Sequence, residues 1–151
     1  VMVFAKTSKA ASRLSDQIRK KEFSKKYYAV VCGKIQENGI YIDKLEKNSK
    51  TNTSFVSKNG KDCSLKFNRI KTNTKFSLVS IDLETGRSHQ IRVQFSYHGF
   101  PLYGDQKYNK KAKLHEQIAL FAYSLTFLHP VRQEKITFSV PLPNIFPYNF
   151  N

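Results

Sequence analysis

The sequence predicts an α+β domain, a mixed, mostly antiparallel sheet with two main helices. Three observations carry that expectation. Short runs rich in β-branched and aromatic residues recur along the chain and are separated by turn residues. Two segments, after Thr7 and after Gly86, carry helix start and stop signals instead. No internal repeat and no low-complexity linker interrupts the 151 residues, so residues 1–151 read as one domain.

The elements follow in order. Val1 to Ala5 reads as a short buried strand. Thr7 or Ser8 can cap the first helix by accepting a bond from a free amide. Ala10, Leu14 and Ile18 recur every four residues and give that helix an apolar stripe, with Lys9, Arg13, Arg19, Lys20 and Lys21 around it. Lys26 to Cys32 is aromatic and β-branched, a strand ended by Gly33. Gly39 to Asp43 makes a short strand, and polar Glu46 to Thr53 a loop. Thr53 to Lys58 and Cys63 to Ile70 suggest a hairpin turning at Asn59-Gly60. Phe76 to Leu83 is a strand broken by Thr85-Gly86. Ser88 opens a helix running to about Tyr97, closed by Gly99 as a left-handed cap and by Pro101. Tyr108 to Glu116 is a basic loop or short helix. Ile118 to Leu128 and Ile136 to Val140 are strands joined at His129-Pro130, and the tail after Leu142 is irregular.

Charge narrows the function classes. Lys and Arg number 26 against 11 acidic residues, a formal net charge of +15. Such a surplus suits a polyanion, nucleic acid first and an anionic membrane surface second. The bland alternative is a solvated basic surface. No apolar run approaches the roughly 20 residues of a spanning helix, and Val1 to Ala5 is too short for a signal-peptide core. Hydrophobic residues at 40% and 20 Phe plus Tyr supply a packed interior. Cys32 and Cys63 form no Cys-x-x-Cys pair and read as reduced core thiols. The four histidines are scattered, so no metal site is expected.

Thr85-Gly86-Arg87-Ser88-His89-Gln90-Ile91-Arg92 packs two arginines, a histidine and a glutamine just after a strand. These types suit phosphates and bases, and an arginine fork grips either bidentately. Arg87 sits where free helix amides also favour an anion. If Ser88 opens the helix, His89 and Arg92 share one face. An ordinary strand–helix corner with surface arginines explains the residues equally well. Arg92, between Ile91 and Val93, is partly buried and needs an acidic partner. In Lys25-Lys26-Tyr27-Tyr28, alternation places Tyr27 with Ala29 and Val31. Tyr27 is either a core tyrosine or a flat surface for a base. Further phosphate contacts fall on the basic helix and on Lys107 to Lys113. His98 is placed at the corner with Arg87, and His129 is a turn residue.

Five separated blocks, in order, resemble the RluA-type RNA pseudouridine synthases. These are Phe4-Ala5-Lys6-Thr7 with Ala10, Ala11 and Leu14; Lys25 to Gly33; Thr85 to Arg92; His98-Gly99-Phe100-Pro101 through Gly104-Asp105 to Tyr108; and Leu120 to Pro130, where Phe121 replaces the family's usual His. The resemblance implies a pseudouridine synthase-like catalytic domain and isomerisation of specific uridines in structured ribosomal or transfer RNA in the cytoplasm. It implies no metal and no organic cofactor. Carried over by motif, Tyr27 is the tyrosine that stacks on uracil and a candidate general base. Arg92 is the basic partner of the catalytic aspartate. Lys25, Lys26, Arg87, His89, Gln90 and His98 are the expected RNA contacts.

The family's His-Arg-Leu-Asp motif is absent from the 151 residues and would lie just before Val1. The chain therefore reads as an N-terminally truncated domain, expected to be inactive alone. Arg92 is then expected to be solvent-reachable or re-paired. The alternative class is a non-catalytic RNA-binding module or RNA chaperone, with salt-sensitive binding and no uridine chemistry.

Overall fold

A computed structural model describes residues 1–150. The elements are α1 (Ser8–Arg19), β1 (Ser24–Cys32), β2 (Asn38–Asn48), β3 (Thr53–Val56), β4 (Lys61–Thr72), β5 (Phe76–Leu83), α2 (Gln90–Tyr97), β6 (Leu120–Leu128) and β7 (Lys135–Ser139). The strands form one sheet in the order β3-β2-β4-β5-β1-β6-β7. Every pairing between these strands is antiparallel. The α+β class therefore holds, with the two helices expected.

β1 lies near the middle of the sheet, and its alternation divides the molecule into two layers. Ala29 and Val31 pack with Val79 and Ile81 against Ile91 and Phe95 of α2. Val30 and Leu78 pack on the other face against Tyr148 and Phe150 of the tail. The tail is irregular, as expected, yet it covers one face. Burying a side chain such as Phe95, at 0% exposure, contributes about 1.5–3 kcal/mol.

Four expectations are corrected. Val1 to Ala5 forms no strand. β1 and β7 occupy both edges of β6 and leave it no ladder to join. Val1 and Val3 still pack beside Leu14, while Met2 and Phe4 stay exposed.

The apolar stripe of α1 is only partly buried. Thr7 caps the helix through Ala10 N, and Leu14 is buried, but Ile18 is 46% exposed. The helix docks through a polar residue instead. Gln17 donates to Leu128 O and accepts from Leu128 N, each at 2.8 Å.

The Glu46–Thr53 loop is shorter than expected, because β2 continues to Asn48. Asn48 Oδ1 then accepts Lys50 N at 3.0 Å and Thr51 N at 3.3 Å, closing a β2–β3 turn.

The hairpin at Asn59-Gly60 is absent, because β3 and β4 both pair with β2 and not with each other. Gly60 passes so close to β2 that an added Cβ would lie 2.6 Å from the Leu45 carbonyl carbon.

Gly104 is under a similar constraint just before the site. Its φ is +70°, and a Cβ would lie 2.2 Å from Gln117 O. Gly104→Ala is expected to cost more than about 1 kcal/mol of unfolding free energy, read by urea denaturation. An unchanged midpoint would contradict this packing.

Candidate functional site

Of the residues singled out by the sequence, Lys25, Tyr27 and Arg87 lie where β1 begins and β5 ends. Ser88 does not open α2. The helix starts at Gln90, after His89 adopts a left-handed conformation with φ 53° and without a side-chain cap. Gln90 takes over the cap's work. Its Oε1 accepts Thr85 Oγ1 at 2.8 Å and Arg87 N at 3.0 Å. Its Nε2 donates to Ser64 O at 3.1 Å and Gln94 Oε1 at 3.0 Å. Both donors and both acceptor positions of the amide are used. Gln90 is 2% exposed, so its expected role as an RNA contact is corrected. It pins the Thr85–Arg87 turn from inside. Arg87 is exposed, with Nε donating to Asp62 O at 3.1 Å.

Arg92 is re-paired, as expected, and its partner is Asp105. Nε donates to Oδ2 at 2.9 Å and Nη2 to Oδ1 at 2.6 Å. The Asp105 side chain has 0% exposure and that of Arg92 23%. The hydrogen bonds to Asp105 push the guanidinium further up from its ordinary value. Nη1 has no hydrogen bond among the described residues, which leaves capacity for a further acceptor.

Asp105 Oδ1 also accepts Lys107 N at 3.1 Å and Tyr108 N at 3.2 Å. Tyr108 then lies 5.0 Å from the Arg92 guanidinium carbon. Its phenol oxygen accepts Ser54 N at 2.8 Å and lies 2.8 Å from His89 Nδ1. Either atom could donate in the His89–Tyr108 bond; a neutral imidazole lets Nδ1 accept the phenol proton. Burial, Arg92 and Lys107 lower His89 in the same sense. His89 and Arg92 do not share a helix face, since His89 precedes the helix; both meet at Tyr108.

Tyr27 and Lys25 project from the α2-covered face of β1. Tyr27 is half-buried, and burial pushes its phenol above the ordinary value of 10.0. It lines a groove of about 260 Å³ with Lys25, Phe4, Phe23 and Leu125. Lys26, expected beside them, projects from the opposite face by alternation and is exposed there. His98 is also displaced. It follows α2 at the end away from Arg87, stacks on Tyr41 at 3.9 Å and places Nε2 3.1 Å from Asp43 Oδ2. Asp43 in turn accepts Gln94 Nε2 at 2.7 Å.

Sequence reasoning missed Asp105 and Tyr108 as parts of the site. The signal was present in the demand of Arg92 for an acid and in Gly104-Asp105 close after it in sequence. Cys32 and Cys63 are free thiols; Cys63 is a core thiol as expected, whereas Cys32 is only partly buried. No cluster of three metal-ligand side chains occurs among the described residues. No helix among them is long and apolar enough to cross a membrane.

A family model described as RNA pseudouridylate synthase matches residues 1–97. The chain is 38% identical over 146 residues to the uncharacterized RNA pseudouridine synthase YlyB of Bacillus subtilis, covering 95% of this chain and 48% of that protein. It is 34% identical over 158 residues to ribosomal large subunit pseudouridine synthase D of Buchnera aphidicola, covering 95% and 50%. The chain thus spans about half the length of these curated relatives. Its fold is similar to that of human RNA pseudouridylate synthase domain containing 1, with TM-score 0.78 and 22% identity over 93% of this chain and 63% of that one. Human RNA pseudouridylate synthase domain containing 4 gives TM-score 0.76 and 18% identity over 94% and 66%.

Two outcomes test the geometry. Arg92→Ala strands a buried carboxylate and is expected to cost about 3–5 kcal/mol of unfolding free energy. Arg92→Ala with Asp105→Ala is expected to cost less than the sum of the two single substitutions; strict additivity in denaturant titrations would contradict the pair.

His89 is expected to titrate below its ordinary value of 6.5 in an NMR pH series. Its folded value is lowered, so its stabilising contribution is complete above 6.5. That contribution is lost as pH falls through the lowered folded value. Tyr108→Phe is expected to move the midpoint upward. A wild-type midpoint at or above 6.5 would contradict the neutral imidazole.

Proposed function

Because the chain belongs to the RNA pseudouridylate synthase family, we propose that it forms part of an enzyme that isomerises specific uridines to pseudouridine in structured RNA. The substrate class is ribosomal or transfer RNA, and the compartment the cytoplasm. The observation that carries this reading is the half-buried Tyr27 beside an apolar groove with Lys25 at its border.

The reaction breaks the bond between uracil N1 and ribose C1′, turns the base, and joins C5 to C1′. C5 loses a proton and N1 gains one, so no oxidant is consumed. In this reading the flipped uracil lies on the Tyr27 ring, where stacking contributes about 1–3 kcal/mol per base. The raised phenol enters the reaction protonated at neutral pH, which favours the stacking role over that of a general base. Arg92 is carried on α2, which covers the face of the sheet that Tyr27 occupies. Asp105 holds it through two nitrogens, and Nη1 is left for the carboxylate acting at the sugar.

That carboxylate is not among the 151 residues in a His-Arg-Leu-Asp context. Asp105 is buried against Arg92, and Asp43 is engaged by Gln94 and His98. Neither is free to replace it. The chain by itself is therefore proposed to make no pseudouridine. Lys25, Arg87 and His89 remain proposed RNA contacts on the active face. Lys26 would meet only RNA that wraps around the domain, and His98 only RNA that reaches the far end of α2.

The test is pseudouridine formation on bulk unmodified RNA by this chain and by a protein extended upstream through the missing motif. Product is expected only from the extended protein, and Tyr27→Ala in it is expected to abolish turnover. Product from the short chain would sink the inactivity claim. RNA binding by both without product from either would favour the non-catalytic module.

A further inference from the structure

We propose that the RNA strand flanking the target uridine leaves the Tyr27 groove across Lys25, passes over Gly86 and Arg87, and enters a further groove between Lys47 and Lys61. The proposal rests on the RNA reading above and adds the path of the strand.

Three grooves lie in series at this end of the sheet. The Tyr27 groove shares Ile18, Phe23 and Lys25 with a middle groove. The middle groove shares Gly86 and Arg87 with a third, of about 420 Å³, bordered by Lys47 and Lys61. The middle floor includes Ile18, Phe23 and Leu83, apolar surface suited to bases. Basic side chains stand at its edges, suited to phosphates. Gly86 keeps the ridge between the grooves low. A Cβ there would meet only Lys25 Nζ, at 3.5 Å.

Strand register puts the cations on one face. Leu45 pairs with Lys61, and Tyr41, Leu45, Cys63 and Leu65 are buried on the α2-covered face. Lys47 and Lys61, two residues from Leu45 and Cys63, therefore project from that same face. The charge of Lys47 reaches the His89 corner, where it helps lower the imidazole.

The nearby carboxylates are engaged or turned away. Glu84 binds Lys66 at 2.6 Å and Ser64 Oγ at 2.7 Å, and Asp62 lies 3.9 Å from Lys44. Glu46, next to Lys47 on β2, also lines the third groove, but alternation directs its side chain to the opposite face from Lys47 and Lys61. Lys47 and Lys61 have no acidic partner among the described residues. Both are exposed.

The experiment is anisotropy of a fluorescein-labelled oligouridylate with the full chain across a salt series. Lys47→Ala/Lys61→Ala is expected to weaken binding about tenfold at low salt. It is also expected to reduce the slope of log K against log salt by about 1.4, near 0.7 for each phosphate no longer neutralised. Lys34→Ala/Lys75→Ala removes the same charge at the opposite end of the sheet, and is expected to leave the slope within error. Equal effects of the two double variants would overturn the path while leaving the RNA reading intact. No binding by the unaltered chain would overturn both.

Discussion

A buried carboxylate cannot stand alone, and the architecture of the site follows from how Asp105 is satisfied. Its side chain has no exposure. It therefore draws the Arg92 fork into two parallel hydrogen bonds and takes the amides of Lys107 and Tyr108 as well. Those amide bonds set the turn that aims Tyr108. The Tyr108 phenol then reaches the edge strand β3 through Ser54 and the α2 entrance through His89. One charge thus ties the helix, the turn after it and the sheet edge into a single unit. The same interaction holds two of the guanidinium nitrogens and leaves the third free.

The second constraint is the pleat of β1. Successive side chains go to opposite faces, so adjacent residues of one motif have different neighbours. Lys25 and Tyr27 look into the groove end of the α2-covered layer. Lys26 and Tyr28 belong to the other layer, where Tyr28 stacks on Tyr123 with 3.9 Å between ring centroids. The bulge between Lys26 and Tyr27 falls in the β1–β6 ladder, and the β1–β5 ladder stays in register across it. A run of basic and aromatic residues that looks uniform in sequence is divided in space between the candidate site and the far side of the sheet.

Much of the fold was legible because patterning and packing agree. β5 spans Phe76–Leu83 as read, and β1, β6 and β7 lie within a few residues of expectation. Their bulky alternating residues have one consistent inside. The misread segments are those where a local signal was overruled by a contact distant in sequence. Asn59-Gly60 looks like a hairpin turn, but Gly60 serves close passage over Leu45. Ser88 looks like a cap, but the Gln90 side chain makes the bonds that hold the turn. Tyr27 and Arg92 were found from the sequence by family resemblance, and the need of Arg92 for an acid by its apolar neighbours. That Asp105 is the acid depends on the chain folding back after Gly104. The neighbourhood of Lys47 and Lys61 depends on strand register alone, which composition does not encode.

Through Tyr108 and His89, the Asp105 pair holds the Thr85–His89 corner as well as its own turn. Amide hydrogen exchange in Asp105→Asn against the unaltered chain addresses this coupling directly. Protection is expected to fall at residues 105–109 and, with them, at residues 85–92, while β1 and β5 keep theirs. A fall confined to residues 105–109 would contradict the coupling and leave Arg92–Asp105 as a local interaction only.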